Sequence, residues 1–512
     1  MFREFIPKSF LSLRHGYSLS SFKKDLLAGI TIGIIALPLA MAFAIASGTS
    51  PERGLATAII AGFLISALGG SRVQIGGPTG AFVVIVYDVI QRTGYEGLAL
   101  ATLFASILLV IAGFFRLGSY IKFVPQPLIV GFTAGLAVLI FSSQVKDFLG
   151  LQMVSVPPHF LEKWIAYGKS LDTIHFPTVC LGTTTFALIL FLRRFAPKIP
   201  WGIASIVLAT LMTLMLGLPV ETIETKFGQV PSHLPWPSLP CFSCNNWTEL
   251  FSDAIAIAFL AGVESLLSAV VGDGMTGSRH RPNCELVAQG VANFGSVLFG
   301  GIPATGAIAR TAANAKMGAQ TPLAGMIHAA TLFLIVLFFS PLVSQIPLAA
   351  LAAVLMMVAW NMAEAKHFLH LFRAPKGDVA ILLTAFLLTI FVDLTVAISC
   401  GMVLASLIFM KNMSHVSKTV VRPEGVNIYE IQGPLFFGAA DLLKDIYVQE
   451  EGKVFVLQMH HVPMIDASGM HALKEFHKKC LRQNAELHLS GVSEKVKESL
   501  KKFGLQNLYE RG

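Results

Sequence analysis

Pro78-Thr79-Gly80-Ala81 and Pro303-Ala304-Thr305-Gly306-Ala307 are two versions of one phrase, with Gly80 and Gly306 separated by 226 residues. The same offset carries Pro38 onto Glu264, and both of those lie inside apolar helices near the start of their halves. Each phrase opens a short segment, 76–89 and 305–315, too brief to cross a hydrocarbon core of about 30 Å as a helix. Short, Gly- or Pro-interrupted segments in matching positions of two halves mark the midplane of transporters built from repeats. Two copies of about seven segments each follow. An odd number of spans per copy forces the copies to be inverted relative to each other.

The composition around these phrases requires lipid as the main solvent. Of 512 residues, 54% are hydrophobic and only 13% charged, which excludes an ordinary water-soluble globule. Apolar runs at 26–46, 99–115, 176–192, 203–216, 326–339 and 379–390 are of bilayer-crossing length or nearly so. The first run follows about 25 polar and basic residues without a small-residue cleavage site, and reads as a retained helix. The net charge of +8 could suggest nucleic acid, but no basic stretch is interleaved with aromatics. Placed loop by loop, Lys and Arg concentrate on one side, including Arg14, Lys23, Arg116, Arg193, Arg281, Lys316, Arg373 and Lys411. That asymmetry predicts an even number of crossings with both termini in the cytoplasm. Residues 1–24 form a cytoplasmic N-terminal segment and 25–411 the transmembrane transport domain, with repeats at roughly 25–218 and 250–411. The Pro-rich loop holding Cys241 and Cys244 falls outside, where the pair is either a local disulfide or idle.

A helix that begins in mid-membrane presents unpaired N–H groups and the positive end of a dipole worth about half a charge. An anion is the natural ligand there, and small Thr-Gly-Ala residues let it reach the amides. Thr79, Gly80, Ala81, Thr305, Gly306 and Ala307 therefore form a candidate central anion site, although Gly and Ala also serve close helix packing. Arg310, four residues beyond Gly306, adds full positive charge or snorkels to the interface. Glu264 interrupts the otherwise apolar and small-residue stretch 254–271, with Ser268 one turn further on. A carboxylate at that depth is costly unless protonated, paired or cation-bound, so a proton or Na⁺ taken there would offset the charge of an incoming anion. A permanent Glu264–Arg310 salt bridge is the alternative. Asp88 and Asp393 fall near span ends and read as interfacial.

After residue 411 the chain becomes charged and mixed. Strands at 426–431, 454–457 and 486–489, with helices at 441–447, 469–480 and 493–503, make 412–512 a small cytoplasmic α/β domain. Ser468 and Gly469 sit in a loop before a helix expected to begin near Met470. Such a loop accepts a phosphate or simply caps the helix. His460, His461, His471 and His477 are not spaced to converge on a metal and read as surface residues, so no metal site is expected.

With these residues in view, the chain resembles the sulfate permease (SulP) family of anion transporters over nearly its whole length. The resemblance is carried by Leu37-Pro38-Leu39-Ala40-Met41-Ala42-Phe43-Ala44, Gly77-Pro78-Thr79, Glu264-Ser265-Leu266-Leu267 and the stretch 303–311. In the tail it is carried by Gly433-Pro434-Leu435-Phe436-Phe437-Gly438 and Asp466-Ala467-Ser468-Gly469. The tail is similar to the sulfate transporter and anti-sigma factor antagonist (STAS) domain, in whose antagonist members a Ser at the position of Ser468 is phosphorylated. The resemblance implies an α-helical membrane protein of fourteen transmembrane segments in a seven-plus-seven inverted repeat. A core domain would move against a gate domain, usually in a homodimer. It also implies that Phe43 lines the anion site, with Thr79 to Ala81, Thr305 to Ala307 and Arg310 around it. In sodium-coupled bicarbonate members an acidic residue matches Glu264 and a hydroxyl residue matches Ser268. Those members place a Thr where this chain has Ile308, which tilts the expectation toward H⁺ over Na⁺.

The expected function is secondary active transport of a small inorganic anion, sulfate first, by cation-coupled alternating access across a bacterial cytoplasmic (inner) membrane. Bicarbonate and C4-dicarboxylates stay open, because helix ends and one Arg recognise charge without naming its bearer. From another class, a membrane-anchored sensor acting through a cytoplasmic partner of the tail is the competing reading. No nucleophile and base lie at usable spacing, so an enzyme is not expected, and no cofactor beyond the coupling ion.

Overall fold

The structure is a computed structural model. It describes the chain apart from residues 1, 15, 154–155, 158, 197–198, 241–246, 393, 414–416, 422–425, 437–442, 444–453 and 511–512. Cys241, Cys244, Asp393, Phe437, Gly438 and the helix expected at 441–447 thus lie outside the described residues, that helix except for Leu443. The chain divides into two compact units, Met1–Gly401 and Met402–Gly512.

The principal helices of the first unit are α1 (Leu19–Ala46), α2 (Pro51–Leu68), α3 (Gly80–Phe114), α4 (Gln126–Leu149), α5 (Phe176–Phe195), α6 (Trp201–Leu216) and α7 (Trp247–Thr276). They are followed by α8 (Pro282–Leu298), α9 (Ile308–Lys316), α10 (Leu323–Ser344), α11 (Leu348–Met362), α12 (Lys376–Phe391) and α13 (Leu394–Met413), which runs past the division between the units. Among the described residues, eight helices are long and apolar enough to cross a membrane, and Trp201–Leu216 and Val396–Lys411 are shorter apolar helices. Outward-facing side chains confirm the solvent: Phe195 is 70% exposed, Met215 84% and Phe338 68%. An apolar surface of that kind is stable only against lipid tails, and helices satisfy the backbone there internally.

Helix α3 is two helices joined at Gly94, whose φ of 71° and ψ of −175° belong to a region open essentially to glycine alone. Its first half, residues 80–93, is about 21 Å long at 1.5 Å per residue, and α9 is about 14 Å, so neither spans the hydrocarbon. The short segments expected from the two phrases are present. Their helices start at Gly80 and Ile308, so the second begins two residues later than the sequence echo places it. The reason is local. Thr305 and Gly306 are extended and form β2, which pairs antiparallel with β1 (Gly76–Gly77) in the register Gly76↔Gly306 and Gly77↔Thr305.

Packing sorts the helices into two groups. In one, α8 lies on α3 and α2, α10 on α1 and α2, and α7 on α3; in the other, α12 and α11 both lie on α4. Small residues make the close approaches possible. A Cβ at Gly54 would meet the Ala40 carbonyl, one at Gly131 the Leu382 carbonyl, and one at Gly290 the Ser106 carbonyl. Backbones that touch in this way replace the hydrophobic drive that lipid cannot supply between helices.

The second unit holds a four-stranded sheet of order β3 (Ser417–Val421), β4 (Val426–Gln432), β5 (Val454–His461), β6 (Glu486–Ser490). β3 pairs antiparallel with β4, while β4–β5 and β5–β6 are parallel. Alternate residues Phe455, Leu457 and Met459 of β5 are buried with Met470, Leu473 and Phe476 of α14 (Ala467–Arg482). Each such side chain contributes about 1.5–3 kcal/mol on burial. A last helix, α15 (Glu494–Lys502), buries Val496 and Leu500. The strands and two of the helices expected from sequence are present, and β3 is an edge strand in addition.

Candidate functional site

The pairing of β1 with β2 brings the starts of α3 and α9 together from opposite halves of the sequence. Thr79 is the N-cap of α3 but does not cap its own helix; its hydroxyl instead donates to Glu264 Oε2 at 2.9 Å. The first amides of α3, at Gly80 and Ala81, are therefore not answered by the usual side-chain oxygen. At the other helix the Ala307 amide donates to the Ile75 carbonyl at 2.8 Å, so the first amides available to a ligand belong to Ile308 onward. Thr305 is completely buried, and its hydroxyl donates to the Ala261 carbonyl of α7 at 2.9 Å. Thr79, Ala81 and Ala307 are each about 5% exposed.

Phe43 reaches the same place from α1: a Cβ on Gly80 would stand 3.4 Å from its ring and 2.9 Å from Ile140 of α4. A Cβ at Gly306 would run into the Gln74 side-chain amide, which is bonded to the Ser265 hydroxyl, so a larger residue there must displace that side chain. Arg310 is 5% exposed and lies across β1, its Nη2 donating to the Pro78 carbonyl while Nη1 has no partner. A Cβ on Gly77 would approach that Nη1 to 2.9 Å. Among the described residues no ion pair joins Arg310 to Glu264 in place of these contacts. Glu264 keeps partial exposure, and its carboxylate is held by Thr79 rather than buried in a salt bridge.

The structure thus gathers Phe43, Thr79, Gly80, Gly306, Arg310 and Glu264 around the paired strands. Ser268 is near but otherwise occupied: it is fully buried with its hydroxyl 2.9 Å from Thr311 Oγ1. Thr311 in turn accepts from the Ile75 amide at 3.1 Å, so the Ser268–Thr311 pair braces β1. Asp88 lies beside Arg92 at 2.8 Å, and both are well exposed, as an interfacial reading requires.

Sequence reasoning missed the polar stripe of α8. Glu285, Gln289, Asn293 and Ser296 are all fully buried, at a spacing of three to four residues that puts them on one helix face. Glu285 accepts from the Gly70 amide at 2.8 Å, Ser265 Oγ at 3.1 Å and Gln289 Nε2 at 2.9 Å. Ser265 also receives Gln74 Nε2 at 3.2 Å, so this stripe anchors the loop leading into β1. The i, i+4 recurrence of polar residues in a membrane helix was the signal available.

A cavity of about 580 Å³ lies elsewhere, lined by Lys146, Asp147, His175, Glu221 and Lys226 among others. Lys226 there is paired with Asp147 at 3.1 Å and Glu221 at 3.8 Å, and Lys146 donates to the Met153 carbonyl at 3.3 Å. The chemistry favours the paired helix starts.

In the tail, Asp466 caps α14 by accepting the Gly469 amide at 2.8 Å. The helix therefore begins at Ala467, three residues before the expected Met470, and exposed Ser468 stands in its first turn. His477 is partly buried with Nδ1 unpartnered, unlike the surface position expected of it.

Both units of the chain resemble known proteins. The sequence profile of the sulfate permease family matches residues 22–385, and that of the STAS domain matches 417–510. The chain is 42% identical over 504 residues to the Bacillus subtilis protein YvdB, which has a provisional sulfate-transporter name; the match covers 96% of this chain and 95% of YvdB. It is 28% identical to the bicarbonate transporter BicA of Picosynechococcus, over 95% of this chain and 91% of that protein. The solved transmembrane domain of a cyanobacterial BicA superposes with a TM-score of 0.66 at 27% identity, covering 76% of this chain and 98% of that one. Murine solute carrier 26 family member A9 superposes with a TM-score of 0.87 over 97% of this chain and 90% of its own, at 17% identity, a likeness of fold.

Proposed function

Because the chain belongs to the sulfate permease family and ends in a STAS domain, we propose that it carries a small oxyanion, sulfate in the first place, together with a proton by alternating access. It is a multi-pass membrane anion transporter, and the family is one of transporters rather than enzymes. The observation that carries the reading is the β1–β2 pairing, which aims two helix starts at one place beside Arg310 while Thr79 ties that place to Glu264.

The charge balance favours a dianion with a proton. Each helix start contributes about half a positive charge and Arg310 a whole one. With Glu264 ionised the place therefore holds about one positive charge, and with Glu264 protonated about two. A dianion is then neutralised only when Glu264 carries a proton, which makes proton uptake and anion uptake interdependent. Thr79 is the physical link, since its hydroxyl donates to the Glu264 carboxyl group and its residue stands immediately before the first turn of α3.

The rest of the reading concerns arrangement. Fourteen segments form two inverted repeats; α1–α3 with α7–α10 make a core that moves against a gate of α4–α6 with α11–α13. The loop bias of Lys and Arg supports both termini in the cytoplasm, in a bacterial cytoplasmic membrane. The same reading makes the protein a homodimer. Bicarbonate with sodium coupling is the second reading, favoured by the similarity to BicA along the whole transport domain. Uptake of sulfate, bicarbonate and fumarate into proteoliposomes under imposed proton or sodium gradients tests the proposal. Sulfate accumulation driven by protons supports it, sodium-driven bicarbonate uptake selects the second reading, and no uptake of any anion leaves the tail-based sensor.

A further inference from the structure

Among the described residues β2 has one neighbouring strand, β1, and the stretch leading into it, residues 302–304, has side chains in place of a second strand as hydrogen-bond partners. The Ile302 amide donates to Thr57 Oγ1 of α2 at 2.7 Å, and its carbonyl accepts from Ser296 Oγ of α8 at 2.7 Å. Pro303 has no amide to satisfy. At Ala304, which is fully buried, one side chain answers both main-chain groups. Asn293 of α8 accepts the Ala304 amide on Oδ1 at 2.8 Å and donates from Nδ2 to the Ala304 carbonyl at 2.8 Å. Nδ2 also donates to the Gln289 carbonyl, 2.8 Å away in its own helix.

The arrangement is specific to an amide. With Oδ1 against an N–H and Nδ2 against two carbonyls, the group fits in one orientation only, and it reproduces the two-bond exchange by which one strand residue holds another. Helix packing alone does not call for it. The α8 helix approaches its neighbours through small residues: a Cβ at Gly290 would meet the Ser106 carbonyl, and one at Gly295 the Leu64 side chain. Asn293 is fully buried, and main-chain groups at that depth are almost always paired. Under the 226-residue offset Ala304 corresponds to Pro78, whose carbonyl is taken by Arg310 Nη2. Asn293 thus does for the second helix start, without charge, what Arg310 does for the first. Further along the same stripe Glu285 holds the Gly70 amide ahead of β1, so α8 fixes the approaches to both strands from points about 12 Å apart along its axis.

We infer that Asn293 is a positioning residue for the anion site, its side-chain amide serving as the second neighbour of the chain at β2 and fixing the place at which α9 begins. The inference rests on the reading of the paired helix starts as the anion site. Thr305 and Gly306 follow Ala304 directly, and the amides from Ile308 onward follow them, so a displacement of Ala304 moves the ligand-facing amides with it. Asn293 bonds to backbone and touches no anion. It sets the affinity of the site, while the movement of core against gate, and so turnover, does not pass through it.

The test uses the full chain in proteoliposomes with whichever of radiolabelled sulfate or bicarbonate the wild type takes up. Asn293→Leu keeps the branched shape and removes both bonds to Ala304; it should raise KM about tenfold while kcat stays within about threefold, the loss expected for one or two buried hydrogen bonds. Asn293→Gln restores an amide on a longer stem and should bring KM back to within about threefold of wild type. Wild-type KM in the Leu variant overturns the inference, as does a Gln variant no better than Leu, or a fall in kcat with KM unmoved, which is what damage to the fold alone would give. Should the Leu variant fail to assemble on size exclusion, Asn293→Asp decides. It keeps the size and the acceptor for the Ala304 amide but has no N–H for the carbonyl, so KM raised severalfold supports the inference and an unchanged KM overturns it. Gly306→Leu separates the inference from the reading beneath it. Wild-type uptake in that variant removes β2 from the anion site and the inference with it, whereas blocked uptake there with wild-type KM in Asn293→Leu overturns the inference alone.

Discussion

Replacing Glu264 by Gln should uncouple the transporter without emptying its site. The substitution is isosteric and leaves an acceptor for the Thr79 hydroxyl, now 2.9 Å from Oε2. What is lost is the charge assistance of that hydrogen bond, about half its strength, or roughly 1 kcal/mol. Anion affinity therefore changes by about fivefold at most. The energetic coupling, in contrast, disappears altogether, because Gln takes up no proton. Two pH units across the membrane supply about 2.7 kcal/mol per proton, enough for roughly hundredfold accumulation of the accompanying anion. In proteoliposomes acidified outside, the wild type should approach that ratio for each proton it couples, and Glu264→Gln should level off near unity. Exchange of internal for external labelled anion should persist in the variant within about fivefold, and its apparent affinity should no longer vary with pH. Accumulation by the variant at the wild-type level would refute the assignment of Glu264 as the coupling site.

Gly306→Leu should abolish uptake, since even a Cβ there collides with the Gln74 amide and overpacking of this kind costs about 1–3 kcal/mol; uptake assays on purified protein read it. Gly94→Ala should lower the thermal stability of the detergent-solubilised protein by at least about 1 kcal/mol, because φ of 71° with ψ of −175° strains any side chain, while no neighbouring atom obstructs the added methyl. Asp466→Ala should destabilise the tail by about 1 kcal/mol through loss of the cap on α14, seen as an earlier melting transition, with anion KM unaffected.

The fold class was legible because lipid imposes a coarse rule that composition obeys everywhere. The midplane phrases were legible for a sharper reason: a helix that must begin inside the hydrocarbon needs Pro, Gly and Thr where ordinary spans tolerate only apolar residues. Glu264 stood out against its apolar helix for the same reason. The exact start of α9 was not readable, because whether Thr305 and Gly306 join the helix or a strand depends on Gly76 and Gly77, more than two hundred residues away. Ser268 illustrates the same limit. Its spacing from Glu264 says they share a face, but only packing reveals that Thr311 has claimed its hydroxyl. Glu285 was passed over since it lies in a segment whose average character gives no sign that Gly70, Ser265 and Gln289 supply its partners.

The two-residue ladder between Gly76–Gly77 and Thr305–Gly306 also sets an order of assembly. A ribosome finishes the first of these strands long before it reaches the second, so the early half must wait in the bilayer with its Gly76–Gly77 amides and carbonyls unmatched. Hydrocarbon penalises that wait by several kcal/mol per group. Any truncation before residue 305 therefore leaves a fragment in which Gly76–Gly77 lack the strand they pair with.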